Sequence, residues 1–234
     1  MRTIRQSRIL CFKLFFADAV EQFTRLAEHN KRHHDMAAAY SFNIVPGGRY
    51  GGQNQRIVDV FYGNRPFDVG TTQNDTKGNC WPTQRLLTES GASLSYERGD
   101  NGLVLCTLRP ARSVNLGRKE DAVILSIITD ARDLTGRSIL EKHFRYLVAY
   151  MRYSSLDGEP TLWERIDILW ILFIRPTIIA GTYRTPAIWT WLGRIISVVI
   201  TVGLSGFIIT IIQYLHDKPS NFAFIEHLTL LVGR

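Results

Sequence analysis

Apolar residues recur along this chain with two periods, and each change of period marks a new element. Asp18 and Glu21 are spaced as a capping box, and Val20, Phe23, Leu26 and Ala27 follow on one helical face, which predicts a helix to about Met36. The run "RIVDVFY" at 56–62 alternates as a strand does. "ASLSYE" at 92–97 and "LVLCTLRP" at 103–110 flank Gly-Asp-Asn-Gly, the residues a tight reversal requires, and predict a hairpin. "DAVILSIIT" at 121–129 reads as one continuous apolar run, as expected of a central strand buried on both faces. A second capping box, Ser138 with Glu141, opens a helix to about Arg152 with Leu140, Phe144, Leu147, Val148 and Met151 on one side. Thr161 and Glu164 form a third, ahead of "WERIDILWILFIRPTIIAG". Together these predict an α+β domain with an antiparallel sheet of about four strands.

Two connections stand out between these elements. "VPGGRYGGQNQ" reads as a loop by composition. "GNRPFDVGTTQNDTKGNCWP" is long, polar and rich in turn residues, and a connection of that length is often functional or mobile. The first residues, "MRTIRQSRILCFKLFF", combine a basic start with an apolar stretch interrupted by Lys13. That interruption fits a signal peptide poorly. It leaves a basic amphipathic anchor, or a helix or strand packed on the domain.

The C-terminal third changes character. Residues 195–215 carry no charge, and 21 helical residues reach about 31 Å, close to the roughly 30 Å hydrocarbon core of a bilayer. Trp189, Trp191 and Arg194 precede the run; Tyr214, His216 and Lys218 follow it, as at the two interfaces of a span. The expectation is a transmembrane helix at 195–215. Residues 161–184 form an interfacial helix or a second membrane helix, the latter giving a two-helix membrane hairpin. A second span would place Arg175 and Pro176 near its middle, at a cost of about 2.5–3.5 kcal/mol for the arginine, so the interfacial reading is preferred. The implied organisation is a binding domain at 1–160, the segment 161–184, the span 195–215 and a short tail at 216–234. Arg165, Arg175, Arg184 and Arg194 all precede the span, which by the positive-inside rule puts the large domain in the cytoplasm.

Charge narrows the partners without choosing one. The net charge is +7, and the part up to Arg165 already holds 23 Lys and Arg against 18 Asp and Glu. Such an excess suits contact with anionic lipid or with nucleic acid. The three cysteines, Cys11, Cys80 and Cys106, are too few and too scattered for a disulfide framework. Their usage fits a reducing compartment.

Candidate chemistry is sparse. In "HNKRHHD", His29 and His33 are at i, i+4 and share a helix face, so they could bind one metal, but no third ligand is forced onto that face, and a solvated basic helix face is the preferred reading. "PGGRYGGQNQR" lacks the lysine and hydroxyl residue of a phosphate loop. No G-x-S-x-G elbow occurs, and His143 beside Lys142 reads as a surface or interface residue. No catalytic set, metal site or cofactor is expected. The most usable pattern is a set of small residues in the apolar run: Gly203, Gly206 and Thr210 on one stripe, Ser197, Thr201 and Ser205 on another. Small residues at such spacing let helices approach closely in lipid and favour a homo-oligomer.

The layout therefore suggests a membrane-anchored, non-enzymatic protein. Its cytosolic domain binds a partner or ligand and acts through association of the membrane helix. In architecture alone it looks like bacterial effectors of defence or toxin systems, in which a sensing domain controls a membrane-disrupting segment. A membrane-tethered enzyme using the polar connection at 63–80, or a tethered nucleic-acid binder, are the alternatives.

Overall fold

Phe12, Phe15, Ala19, Phe23 and Leu26 follow one another at helical spacing, and all five are buried. In the computed structural model they form the inner face of α1 (Ile4–Glu28), so the basic N-terminal stretch is part of a core helix. The structure describes residues 4–49, 52–76, 79–113, 117–134, 136–202, 206, 209, 212 and 213. They belong to two compact units, Met1–Ala187 and Ile188–Arg234. The helix ends earlier than its periodicity suggests. Asn30 caps a separate α2 (Lys31–Ala39) by accepting the His33 N–H at 3.2 Å.

The fold is α+β. The expected sheet of about four strands is corrected to ten strands among the described residues, in two antiparallel sheets. They are β1 (Phe42–Pro46), β2 (Ile57–Tyr62), β3 (Asn64–Thr76), β4 (Asn79–Ser90), β5 (Ser93–Arg98), β6 (Val104–Arg109), β7 (Arg112–Ser113), β8 (Ala122–Ile128), β9 (Thr177–Ile179) and β10 (Thr182–Arg184). The main sheet runs β1-β2-β5-β6-β8-β9-β10, and β3-β4-β7 form the second. Two helices follow β8, α3 (Arg137–Ser154) and α4 (Leu162–Ile174).

Alternation fixes which side of the main sheet is covered. Val58, Val60, Tyr62, Leu94, Tyr96, Val104, Cys106 and Leu108 are all buried, and each alternates with a more exposed neighbour. They meet α1 and α3, whose Phe144, Leu147 and Met151 complete one core. Strand β8 breaks the alternation. Its pairing with β6 shifts between Cys106 and Thr107, so that Cys106 faces Ser126 while Thr107 faces Ile124. The extra residue, Leu125, is a β-bulge, and it brings Ser126 to the helix-covered side.

The polar connection after β2 is not a loop. It is a long ribbon, β3 paired with β4 from Asn64↔Ser90 to Thr76↔Asn79, inserted between β2 and β5. Threonines favour the extended backbone of both strands. At the base Gly91 is required: a Cβ there would lie 2.4 Å from the Tyr62 Cβ.

Four buried polar groups clamp the elements together. Glu89 accepts from the Tyr40 hydroxyl at 2.5 Å and the Leu156 N–H at 2.8 Å. Glu120 accepts from the Tyr150 hydroxyl at 2.7 Å. The His33 ring meets the Tyr62 hydroxyl at 2.8 Å. Glu164 completes the capping box at Thr161 and also takes Arg32 and Arg152, each at 3.0 Å.

The membrane part of the expected fold is also corrected. Among the described residues no helix is long and apolar enough to cross a membrane. The continuous helix α5 (Ala187–Val202) has 16 residues, about 24 Å at 1.5 Å per residue, and includes Arg194. The two-helix membrane hairpin fails as well. Helix α4 stops at Ile174, and residues after it turn into the β9–β10 hairpin, which joins the main sheet through Ala122↔Ile178 and Val123↔Thr177. Its turn uses positive φ at Ala180 and Gly181.

Candidate functional site

The bulge in β8 and the inner face of α3 bring four polar side chains together. His143, 5% exposed, places Nδ1 3.0 Å from the Tyr96 hydroxyl and 3.5 Å from the Cys106 Sγ. Its Nε2 lies 3.4 Å from the Ser126 Oγ. The sequence reading of His143 as a surface or interface residue is thus corrected to a residue buried inside the domain. A lysine neighbour marks one side of a helix, but the side of the ring itself is set by the spacing to Leu140, Phe144 and Leu147.

Burial governs the chemistry of this group. It lowers the His143 pKa to about 4, with Lys142 and Arg175 adding to the effect. Burial raises the Tyr96 hydroxyl far above its ordinary range, and the neighbouring Cys106 adds to this. Burial also raises the Cys106 thiol, outweighing its hydrogen bonds to Tyr96 and Ser126. At neutral pH all three are uncharged. The arrangement therefore lacks the thiolate of a cysteine nucleophile. The neutral ring carries a single proton, so one ring nitrogen donates and the other accepts within the set formed by Tyr96, Cys106 and Ser126.

A cavity of about 390 Å³ opens against this network. Its walls come from β8, α3 and α4, with Ile139, Trp170, Ile171 and Ile174 as apolar lining. Lys142 and Arg175 bring positive charge to it and Asp133 one carboxylate. The size falls within the roughly 300–1,000 Å³ range of small-molecule sites.

Helix α4 separates this cavity from a broad exterior face. Its inner side buries Glu164, Ile168 and Ile171. Its outer side presents Leu162, Trp163, Ile166, Leu169 and Trp170, of which Trp163 is 77% and Trp170 60% exposed. Arg165 flanks this stripe on one side and Asp167 on the other, and Arg175 caps the end of the helix. The apolar residues cover almost the whole circumference, so the helical pattern alone could not tell the packed side from the open one.

The residues singled out by sequence are mostly not brought together. His29 lies in the link after α1, His33 is turned inward, and His34 Nε2 is 3.3 Å from the Glu28 carbonyl oxygen. Among the described residues no group of three or more His, Cys, Asp or Glu could hold a metal. In the glycine-rich β1–β2 connection, the Asp59 carboxylate already accepts the Arg49 N–H at 2.8 Å, and Arg49 stacks on Phe61. Of the small-residue stripes, Ser197 is exposed on α5, Thr201 lies in α5, and Gly206 is helical. Gly203, Ser205 and Thr210 lie outside the described residues. The feature that sequence reasoning missed is the bulge, because a strand as apolar as β8, with Ser126 its one polar residue, does not reveal where its phase shifts.

Comparison with known proteins returns no family model, no curated protein and no solved structure that matches this chain.

Proposed function

We propose that this protein is a membrane-surface protein whose α+β domain rests on an anionic bilayer through the outer face of α4, and that it works by binding rather than by catalysis. The observation that carries the reading is the continuous open stripe of Leu162, Trp163, Ile166, Leu169 and Trp170 on a helix whose other side is packed. Contiguous exposed apolar surface of this kind marks an interaction site.

The composition of the stripe favours lipid as its occupant. Tryptophans sit at both of its ends, and indole rings partition to the headgroup level of a bilayer. Arg165 and Arg175 sit at its border and the chain carries +7 overall, so anionic headgroups add attraction of about 1 kcal/mol per nearby cation. A helix of this type lies in the interface plane rather than across it.

The test places an environment-sensitive fluorophore at Leu169→Cys in the full chain with Cys11→Ser and Cys80→Ser. Cys106 is buried and can remain. A second variant carries the fluorophore at Asp100→Cys, in the β5–β6 turn. Phosphatidylserine-containing vesicles should shift emission to the blue at position 169 and leave position 100 unchanged. A vesicle-bound chain whose position 169 still reports water, or is protected only by an added protein, would refute the reading.

A further inference from the structure

The cavity beside α4 has a composition that neither a buried core defect nor an ordinary surface cleft explains. One part of its lining is aliphatic and aromatic: Ile139, Trp170, Ile171 and Ile174. Another is polar and uncharged, the Ser126 and His143 pair. Its charged groups are Lys142, Arg175 and Asp133, two cations against one carboxylate. Among the described residues neither Lys142 nor Arg175 has an ion-pair partner; the Lys142 Nζ lies 5.9 Å from the Tyr146 ring centroid. Trp170 belongs both to this lining and to the open stripe of α4, so the cavity meets the outer apolar face there.

We infer that this cavity binds a single-chain anionic amphiphile, with the acidic head between Lys142 and Arg175 and the first carbons of the chain against Ile139, Trp170 and Ile174. The two cations supply charge-assisted hydrogen bonds, which are the strong ones at such a site. Ser126 and His143 give the cavity wall uncharged polar groups beside these cations. A neutral alcohol of the same length would leave both cations unpaired. A small hydrophilic anion would leave the aliphatic wall wet. Only a molecule with both halves satisfies the whole lining. A carboxylate and a phosphate head share this chemistry.

The choice of ligand class rests on the membrane-surface reading, since a bilayer is where such molecules are concentrated. The test separates the two ideas by avoiding vesicles. The full chain is illuminated with diazirine-bearing hexadecanoate, hexadecyl phosphate or hexadecanol, and adducts are mapped by mass spectrometry. Adducts should concentrate in the peptides holding 125–129, 139–146 and 170–175, for one or both acidic probes, and excess decanoate should suppress them. Whichever acidic probe labels identifies the head. The Lys142→Ala/Arg175→Ala variant should lose labelling at least tenfold, and Lys142→Arg/Arg175→Lys should keep it. Both positions lie on the surface, and circular dichroism verifies that each variant is folded. Equal labelling by hexadecanol, adducts spread over the chain, or undiminished labelling of the alanine variant would each overturn the inference. Labelling here with position 169 still water-exposed on vesicles would retain the cavity and discard the bilayer contact.

Discussion

Glu164 does the most of any single side chain. It is 4% exposed, yet it closes the capping box of α4, pairs with Arg152 of α3 and reaches Arg32 of α2. Burial by itself would raise its pKa. The Thr161 N–H and hydroxyl, then Arg152 and Arg32, outweigh that and hold the carboxyl below its usual range. Removing it leaves Arg152 without its carboxylate, so Glu164→Ala should cost about 3 kcal/mol, against about 1 kcal/mol for Thr161→Ala, which loses only a cap. Urea titration of the two variants measures this. Equal small losses would mean that the cap, and not the ion pair, is what matters.

His33 and His143 set the acid limit in the same way. Burial lowers each to about 4, with His34 adding to the effect at His33 and Lys142 and Arg175 at His143. The unfolded chain binds a proton at these rings near 6.5, while the folded chain does so only near 4. Folding stability is therefore full above about pH 6.5 and is lost as pH falls towards 4, by up to about 3 kcal/mol per ring. Below that the Glu164 contribution is lost in turn. A melting temperature that stays level from pH 7 to 4.5 would contradict this. His143→Gln should lower stability at pH 7 but flatten the slope.

At the scale of elements, α4 divides sharply into two sides. Ile168 is 1% exposed, and Ile168→Ala should cost about 2–4 kcal/mol as a buried large-to-small change. Trp163→Ser and Trp170→Ser remove more side-chain atoms, yet each should cost well under that, about 0.5–1 kcal/mol, because both rings are mostly exposed. Chemical denaturation of the three variants tests the division, and a large loss at Trp163 would show that the stripe is already packed. The sequence foretells part of this. The hairpin 92–110, the capping box at Thr161 and the inner face of α3 follow from local chemistry, whereas no box forms at Ser138, because α3 starts at Arg137 with Gly136 as its N-cap. Less legible are features decided by distant partners. The pairing of β9 with β8, the ribbon of β3 and β4, and the rotation of His143 toward Tyr96 have no local signature. The apolar run at 195–215 shows the opposite failure. Its hydropathy suggests one long span, but among the described residues no helix is long and apolar enough to cross a membrane.

For the whole molecule, the packing decides how much chain makes a stable unit. The capping boxes and strands suggest that 18–152 is self-sufficient, but the core extends beyond both ends. Phe12 and Phe15 are fully buried, with Phe15 set edge-on to Tyr96 at 5.2 Å between ring centroids. Ile168 and Ile171 close the other side, and β9 covers the edge of β8. Buried phenylalanines contribute about 3–5 kcal/mol each on truncation, so losing two removes about as much as an ordinary domain has in total. A fragment of 4–187 should therefore melt in one cooperative transition, and a fragment of 18–152 should show none, or bind a hydrophobic dye without one. Restoring only 4–17 should recover part of the transition, and restoring 153–187 as well should complete it, because Glu164, Ile168 and β9 return together. Calorimetry of the three fragments gives the answer. If 18–152 melts at the temperature of 4–187, the flanking helices are attachments and the core is the sheet with α3 alone.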